Sequence, residues 1–291
     1  MTAAVLADAL GSADGRAAAA KTPGGSLHGR SGAKRGDGVT YHRYVAIGDS
    51  TTEGMDDPDG DGGYRGWADR FAVHVARSQL GQGGVDYANL AIRGRTTARI
   101  RAEQLQPALD LKPDLATVVA GMNDLLRASC DVTAVAHDIY LMQNALVTQG
   151  ATVLTFTLPD PAPVMPITKP LRGRVRALND AIRAATASSG ALLLDLGIHP
   201  VSSDPRMWSD DRLHANTAGH ERIGAALAHT LGLPGFDSSW SEPLPTPARR
   251  PRHRVIAAEL AWLRRHMLPW LGRHVRGRSS GDDRACHSRH R

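Results

Sequence analysis

Cysteine is almost missing from this chain. Cys130 and Cys286 are its only two, one in the body and one near the C-terminus, which excludes a disulfide framework and a cysteine-based metal cluster and favours a reducing compartment. Long apolar runs are missing too: no window approaches the ~20 apolar residues needed to span a bilayer. The opening stretch, Met1 to Leu10, lacks the basic start and extended apolar core of a secretory signal, and Asp8 interrupts it. The expected location is the cytoplasm, with at most a peripheral attachment to a membrane. Metal-ligand patterns are also scarce. His42, His74, His137, His199 and His229 do not cluster with Cys or carboxylates, and His214 and His220 are six residues apart rather than at the four-residue step of a helical pair. The Asp-rich stretch up to Gly63 lacks the spacing and terminal glutamate of a calcium loop. Neither a metal nor a cofactor is expected.

Charge is present but unevenly placed. The chain carries a formal +6 over 291 residues, yet from Arg249 onward twelve arginines face only Glu259, Asp282 and Asp283. The rest is therefore mildly acidic, and nothing in it suggests a nucleic-acid groove.

Residues 1–38 are rich in Ala, Gly, Ser and basic side chains and have almost no large apolar ones after Leu10. They cannot offset the entropy of ordering and read as a disordered leader. From Val39 the pattern changes. Apolar runs over 43–48, 85–91, 115–120, 152–157 and 191–196 read as strands, and amphipathic stretches over 64–80, 97–106, 132–149, 169–188 and 217–231 read as helices. Strands alternating with helices predict a three-layer α/β/α sandwich with about five parallel strands, spanning residues 39–233. The five prolines between Pro159 and Pro170 predict an extended loop. Residues 234–253 read as a Pro/Ser/Arg-rich linker, and 254–291 as a basic amphipathic helix followed by a disordered tail. Over 254–276 the apolar residues Ile256, Leu260, Leu263, Met267, Leu271 and Val275 recur at three- or four-residue steps between arginines. That stripe suits either an anionic membrane surface or a protein partner, including the body of this chain itself.

The chemistry is concentrated where strands end. Tyr44-Val-Ala-Ile-Gly-Asp-Ser-Thr-Thr52 runs from a buried strand into polar residues, so Ser50 is delivered to the carboxyl edge of the sheet, where ligands bind in open α/β folds. The next predicted strand leads to Asn89-Leu-Ala-Ile-Arg-Gly94, the third to Gly121-Met-Asn-Asp124, and Asp210-Asp-Arg-Leu-His214 precedes the last helix. Each block alone is also ordinary turn or capping chemistry. Together and in this order they resemble the SGNH (GDSL-like) hydrolases over residues 42–231. The resemblance implies a flavodoxin-like SGNH fold, a Ser50 nucleophile, an Asp211 and His214 acid and base, and an oxyanion hole from Ser50, Gly94 and Asn123.

Chemistry gives each of those positions a reason. A serine hydroxyl needs a base to take its proton, a neutral imidazole does so near neutral pH, and a carboxylate three residues earlier can reach the far ring nitrogen through one turn. A glycine allows close backbone approach to a developing oxyanion. The Gly-x-Ser-x-Gly elbow of the α/β-hydrolases is absent around Ser50, which argues against that fold. Asp49, Asp124 and His220 are expected to be structural. The resemblance implies an ester substrate, whether small molecule, lipid or acylated sugar. The rival function is a non-catalytic pocket protein that reaches a membrane or partner through its basic helix.

Overall fold

The computed structural model describes residues 39–81, 84–246, 259–267 and 289–290. The leader expected over 1–38 and most of the helix expected over 254–276 lie outside them.

Five parallel strands form the sheet: β1 (Arg43–Gly48), β2 (Asp86–Asn89), β3 (Leu115–Val119), β4 (Thr152–Phe156) and β5 (Leu192–Leu194), in the order β5-β4-β3-β1-β2. A two-residue strand, β6 (Arg289–His290), pairs antiparallel with β2 at the edge. Alternation along the strands decides which layer each side chain enters. Tyr44 and Ala46 of β1, with Leu115, Val119, Leu154 and Phe156, pack under α2 (Gly66–Ser78) and α7 (Thr217–Leu231). Val45 and Ile47, with Ala116, Val118 and Val153, pack under α3 (Thr97–Asp110), α5 (Val132–Thr148) and α6 (Arg172–Ser189). Every residue of β3 is buried, as a central strand covered on both faces requires. Two single-turn helices complete the set, α1 (Ser50–Glu53) after β1 and α4 (Met122–Leu125) after β3.

The chain leaves β1 for β2 on one side and returns to β3 on the other, so strand order reverses between β1 and β3. That switch point is where open α/β sheets leave a crevice beyond the strand ends, and both one-turn helices sit there. Gly48 makes the close approach possible. A Cβ at this position would lie 2.2 Å from Thr52 Oγ1 and 2.7 Å from the Val119 carbonyl oxygen, so any side chain would push α1 off the sheet.

Two expectations need correction. The proline-rich segment is not simply extended: Pro166–Leu171 forms a 3-10 helix with Pro166 at its first position, where a fixed φ and a missing N–H cost nothing. Ala162, Val164 and Met165 before it are buried. The start of the expected linker packs against the body. Ser238–Ser241 is a 3-10 helix, Trp240 is buried with its ring 4.6 Å from that of His199, and Arg222 donates to the carbonyls of Trp240 and Glu242.

Candidate active site

Asp49 caps α1 by accepting the Thr51 amide at 3.0 Å, which makes Ser50 the first helical residue. Its backbone N–H is thus among those with no partner inside the helix. Ser50 Oγ lies 2.9 Å from His214 Nε2, and His214 Nδ1 lies 2.7 Å from Asp211 Oδ2. The three residues are brought together across 164 positions of sequence. The local fold explains the short reach from Asp211 to His214. Asp211 Oδ1 accepts the backbone amides of Leu213 and His214, closing a turn that folds the carboxylate back onto the ring.

Electrostatics follow from that arrangement. Burial works against a charged ring at His214. The Asp211 bond and the nearby carboxylates of Asp211, Asp56 and Asp49 overcome it, so its pKa lies above the ordinary imidazole value. Burial likewise works against charge on Asp211, yet its bonds from His214, Ser209 and the Leu213 amide hold it well below the usual carboxylate range. Asp49 goes the other way. Complete burial raises it to about 6 despite the Thr51 amide and the attraction of His214.

Asn123 sits on α4, and its side-chain amide donates 3.1 Å bonds to Asp49 Oδ2 and to the Arg95 carbonyl. Both amide hydrogens are therefore engaged. Gly94 has φ +74°, in the left-handed region, within the loop after β2. That loop is held from two sides. Arg93 on one side of Gly94 is pinned by Glu53 of α1, whose buried carboxylate accepts the Arg93 backbone amide and its guanidinium. Arg95 on the other side offers the carbonyl that Asn123 takes.

Several of these residues escaped sequence reasoning. Glu53 and Arg93 are 40 positions apart, and Gln104, which bonds both the N–H and the C=O of Gly48, is 56 positions away from it. Asp56 lies 3.8 Å from His214 Nδ1, and the Ser209 hydroxyl lies within hydrogen-bond distance of both Asp56 Oδ2 and Asp211 Oδ1. The signal that pointed to Asp56 was only its place in an acidic loop. Asp56, Asp211 and His214 also bring three ligand-type atoms within 4.8 Å of one another. A cation there would have to compete for the bond between Asp211 and His214.

Asp124 and His220, expected to be structural, each bond across elements. Asp124 accepts the backbone and hydroxyl of Thr97 at the start of α3. Buried His220 accepts the Trp67 amide at Nδ1 and donates from Nε2 to the Met55 carbonyl, tying the segment after α1 to α2. A largely apolar pocket adjoins the site. Its walls include Asp49 and Thr51 on either side of Ser50, Leu213 and Ala215 on either side of His214, and Met122 and Phe156.

The profile of the GDSL-like Lipase/Acylhydrolase family matches residues 46–222, more than half of the chain. The chain belongs to this family. Its GDSL-like region holds Ser50, Gly94, Asn123, Asp211 and His214. Among solved structures, the acetylxylan esterase Axe2 from Geobacillus stearothermophilus is similar over 73% of this chain and 100% of its own, with TM-score 0.57 and 17% identity. TesA is similar over 65% of this chain and 98% of its own, with TM-score 0.52 and 22% identity. An α/β hydrolase enzyme from the metagenome of Lake Arreo, LAE5, covers 66% and 95%, with TM-score 0.53 and 20% identity. At these identities the likeness is one of fold. Among curated proteins none matches the sequence significantly. Membership of the GDSL-like family supports an ester-hydrolysing activity. Among the described residues no helix is long and apolar enough to cross a membrane.

Proposed function

We propose that the chain is a serine esterase working through an acyl-enzyme. Ser50 Oγ attacks the ester carbonyl carbon while His214 Nε2 takes its proton, and Asp211 fixes the tautomer and stabilises the imidazolium that forms. The tetrahedral oxyanion is met by the backbone amides of Ser50 and Gly94 and by the side chain of Asn123, which exchanges one of its present acceptors for the stronger anionic one. His214 then returns the proton to the leaving alcohol oxygen as the C–O bond breaks. In the second half, water adds to the acyl carbon with the same base, and the acid departs. The mechanism draws on side chains and backbone alone.

The observation that carries this reading is the unbroken pair of bonds, 2.9 Å from Oγ to Nε2 and 2.7 Å from Nδ1 to the Asp211 carboxylate. Because the pocket beside them is mostly apolar, we infer an apolar acyl group rather than a charged one as its occupant. Turnover of p-nitrophenyl esters by the wild type, lost in Ser50→Ala, tests the proposal. Equal background rates in both would sink it. A fluorophosphonate that fails to label Ser50 in the wild type would favour the rival binding protein instead.

A further inference from the structure

The turn that carries Asp211 and His214 contains a residue in a conformation that L-amino acids rarely adopt. Arg212 has φ +62°. Its amide donates to the Ser209 carbonyl, and its side chain leaves the turn altogether. The guanidinium makes two parallel bonds to Glu259, of 2.8 and 2.7 Å, and its carbon lies 4.5 Å from the centre of the Trp262 ring. Glu259 and Trp262 are three residues apart in a helical segment and so share one face. Two-point bonding plus stacking fixes a guanidinium in direction as well as position, which a single charge contact does not.

We propose that the C-terminal segment is a positioning element for catalysis: by gripping the Arg212 side chain, Glu259 and Trp262 hold the 209–214 turn in the strained form that keeps Asp211 and His214 in line with Ser50. The idea rests on the esterase reading. It assigns to the basic tail a task inside the enzyme. Arg212 touches no reacting atom; it acts through its two neighbours in the turn.

Full-length variants test this. Glu259→Ala and Trp262→Ala should each lower kcat by roughly 10-fold with KM nearly unchanged, the size expected when a distant change loosens reacting geometry. The acid limb of their pH profiles should move toward the ordinary imidazole value as the Asp211–His214 bond slackens. Glu259→Gln should lose less than Glu259→Ala, because an amide still accepts one of the two bonds. The decisive pair is Arg212→Gly and Arg212→Ala. Glycine adopts φ +62° without strain, so it should keep more activity than alanine, the reverse of the usual order of rigidity. Unchanged kcat in the Glu259 and Trp262 variants, or alanine equal to glycine at 212, would overturn the proposal. Hydrogen exchange over residues 209–214 supplies a readout independent of turnover. If the wild type hydrolyses no ester and takes no fluorophosphonate, the esterase reading fails, but faster exchange in Glu259→Ala would still support the grip and unchanged exchange would refute it.

Discussion

The two halves of the site are held in different ways. On the nucleophile side, Asp49, Thr52, Glu53 and Arg93 are all buried; Gln104 fixes the end of β1 at Gly48, and Asn89, Asn123 and the Glu53–Arg93 pair fix α1 and its cap. On the base side, residues 209–214 form a half-buried turn built from short-range bonds, a bond from Ser209 to Asp56, and the contact of Arg212 with Glu259, whose side chain is 44% exposed. The serine is thus anchored by buried pairs, and the turn carrying its base by partly exposed ones. Damage to the first should register as stability and damage to the second as rate.

The largest effect is expected on the base side. Asp211→Asn keeps the shape of the turn but removes the charge that selects the His214 tautomer, and kcat should fall by about 10⁴-fold, together with the stability that the folded state draws from the ionised carboxylate. The contrasting variant, Glu53→Ala, leaves Arg93 buried and unpaired. Urea unfolding should show a loss of about 3–5 kcal/mol, while Glu259→Ala, breaking a more exposed pair, should show less than ~1 kcal/mol. Comparable losses from the two would erase the contrast.

His220 sharpens it through pH. Burial lowers its pKa from 6.5 to about 4, against the pull of the Met55 carbonyl and Asp57. The unfolded chain therefore takes up a proton that the folded one refuses, so stability is complete above pH 6.5 and declines as pH falls toward 4. The decline should be on the order of 3 kcal/mol. In His220→Gln that part of the pH dependence should vanish in unfolding measured from pH 7 to 4.5. The smallest effect belongs to Asp56. Its charge helps to raise the pKa of His214, so Asp56→Asn should move the acid limb of kcat/KM to lower pH. No movement would mean that Asp211 alone sets it.

How much could be read in advance depended on the range of the interactions. β1 and α7 have the limits that the sequence predicts, 43–48 and 217–231, because an apolar run ends at Gly48 and because Asn216 caps α7 before Gly232 ends it. Helix α3 was expected to stop before Pro107 but runs on to Asp110. Burial of Ala108 against the core outweighs the one hydrogen bond that proline forfeits. Trp240 stands among serines and prolines, and composition gives no warning that one indole anchors such a stretch. The triad candidates were legible because each follows a strand end or precedes a helix. Glu53–Arg93, Gln104–Gly48 and Arg212–Glu259 were not, since each joins segments 40 or more residues apart through the polar groups of a single pair of residues.

By itself the sequence determined the alternation of strands and helices and the identity of the polar residues at their ends. Periodicity and capping are local properties written in neighbouring side chains. Only the tertiary structure decided that both amide hydrogens of Asn123 are already engaged, that Asp56 stands 3.8 Å from the imidazole that Asp211 bonds, and that Glu259 of the C-terminal segment pairs with Arg212 in the turn carrying the base. Those outcomes depend on distances of a few ångström between remote segments, which arise only when the two layers close on the sheet.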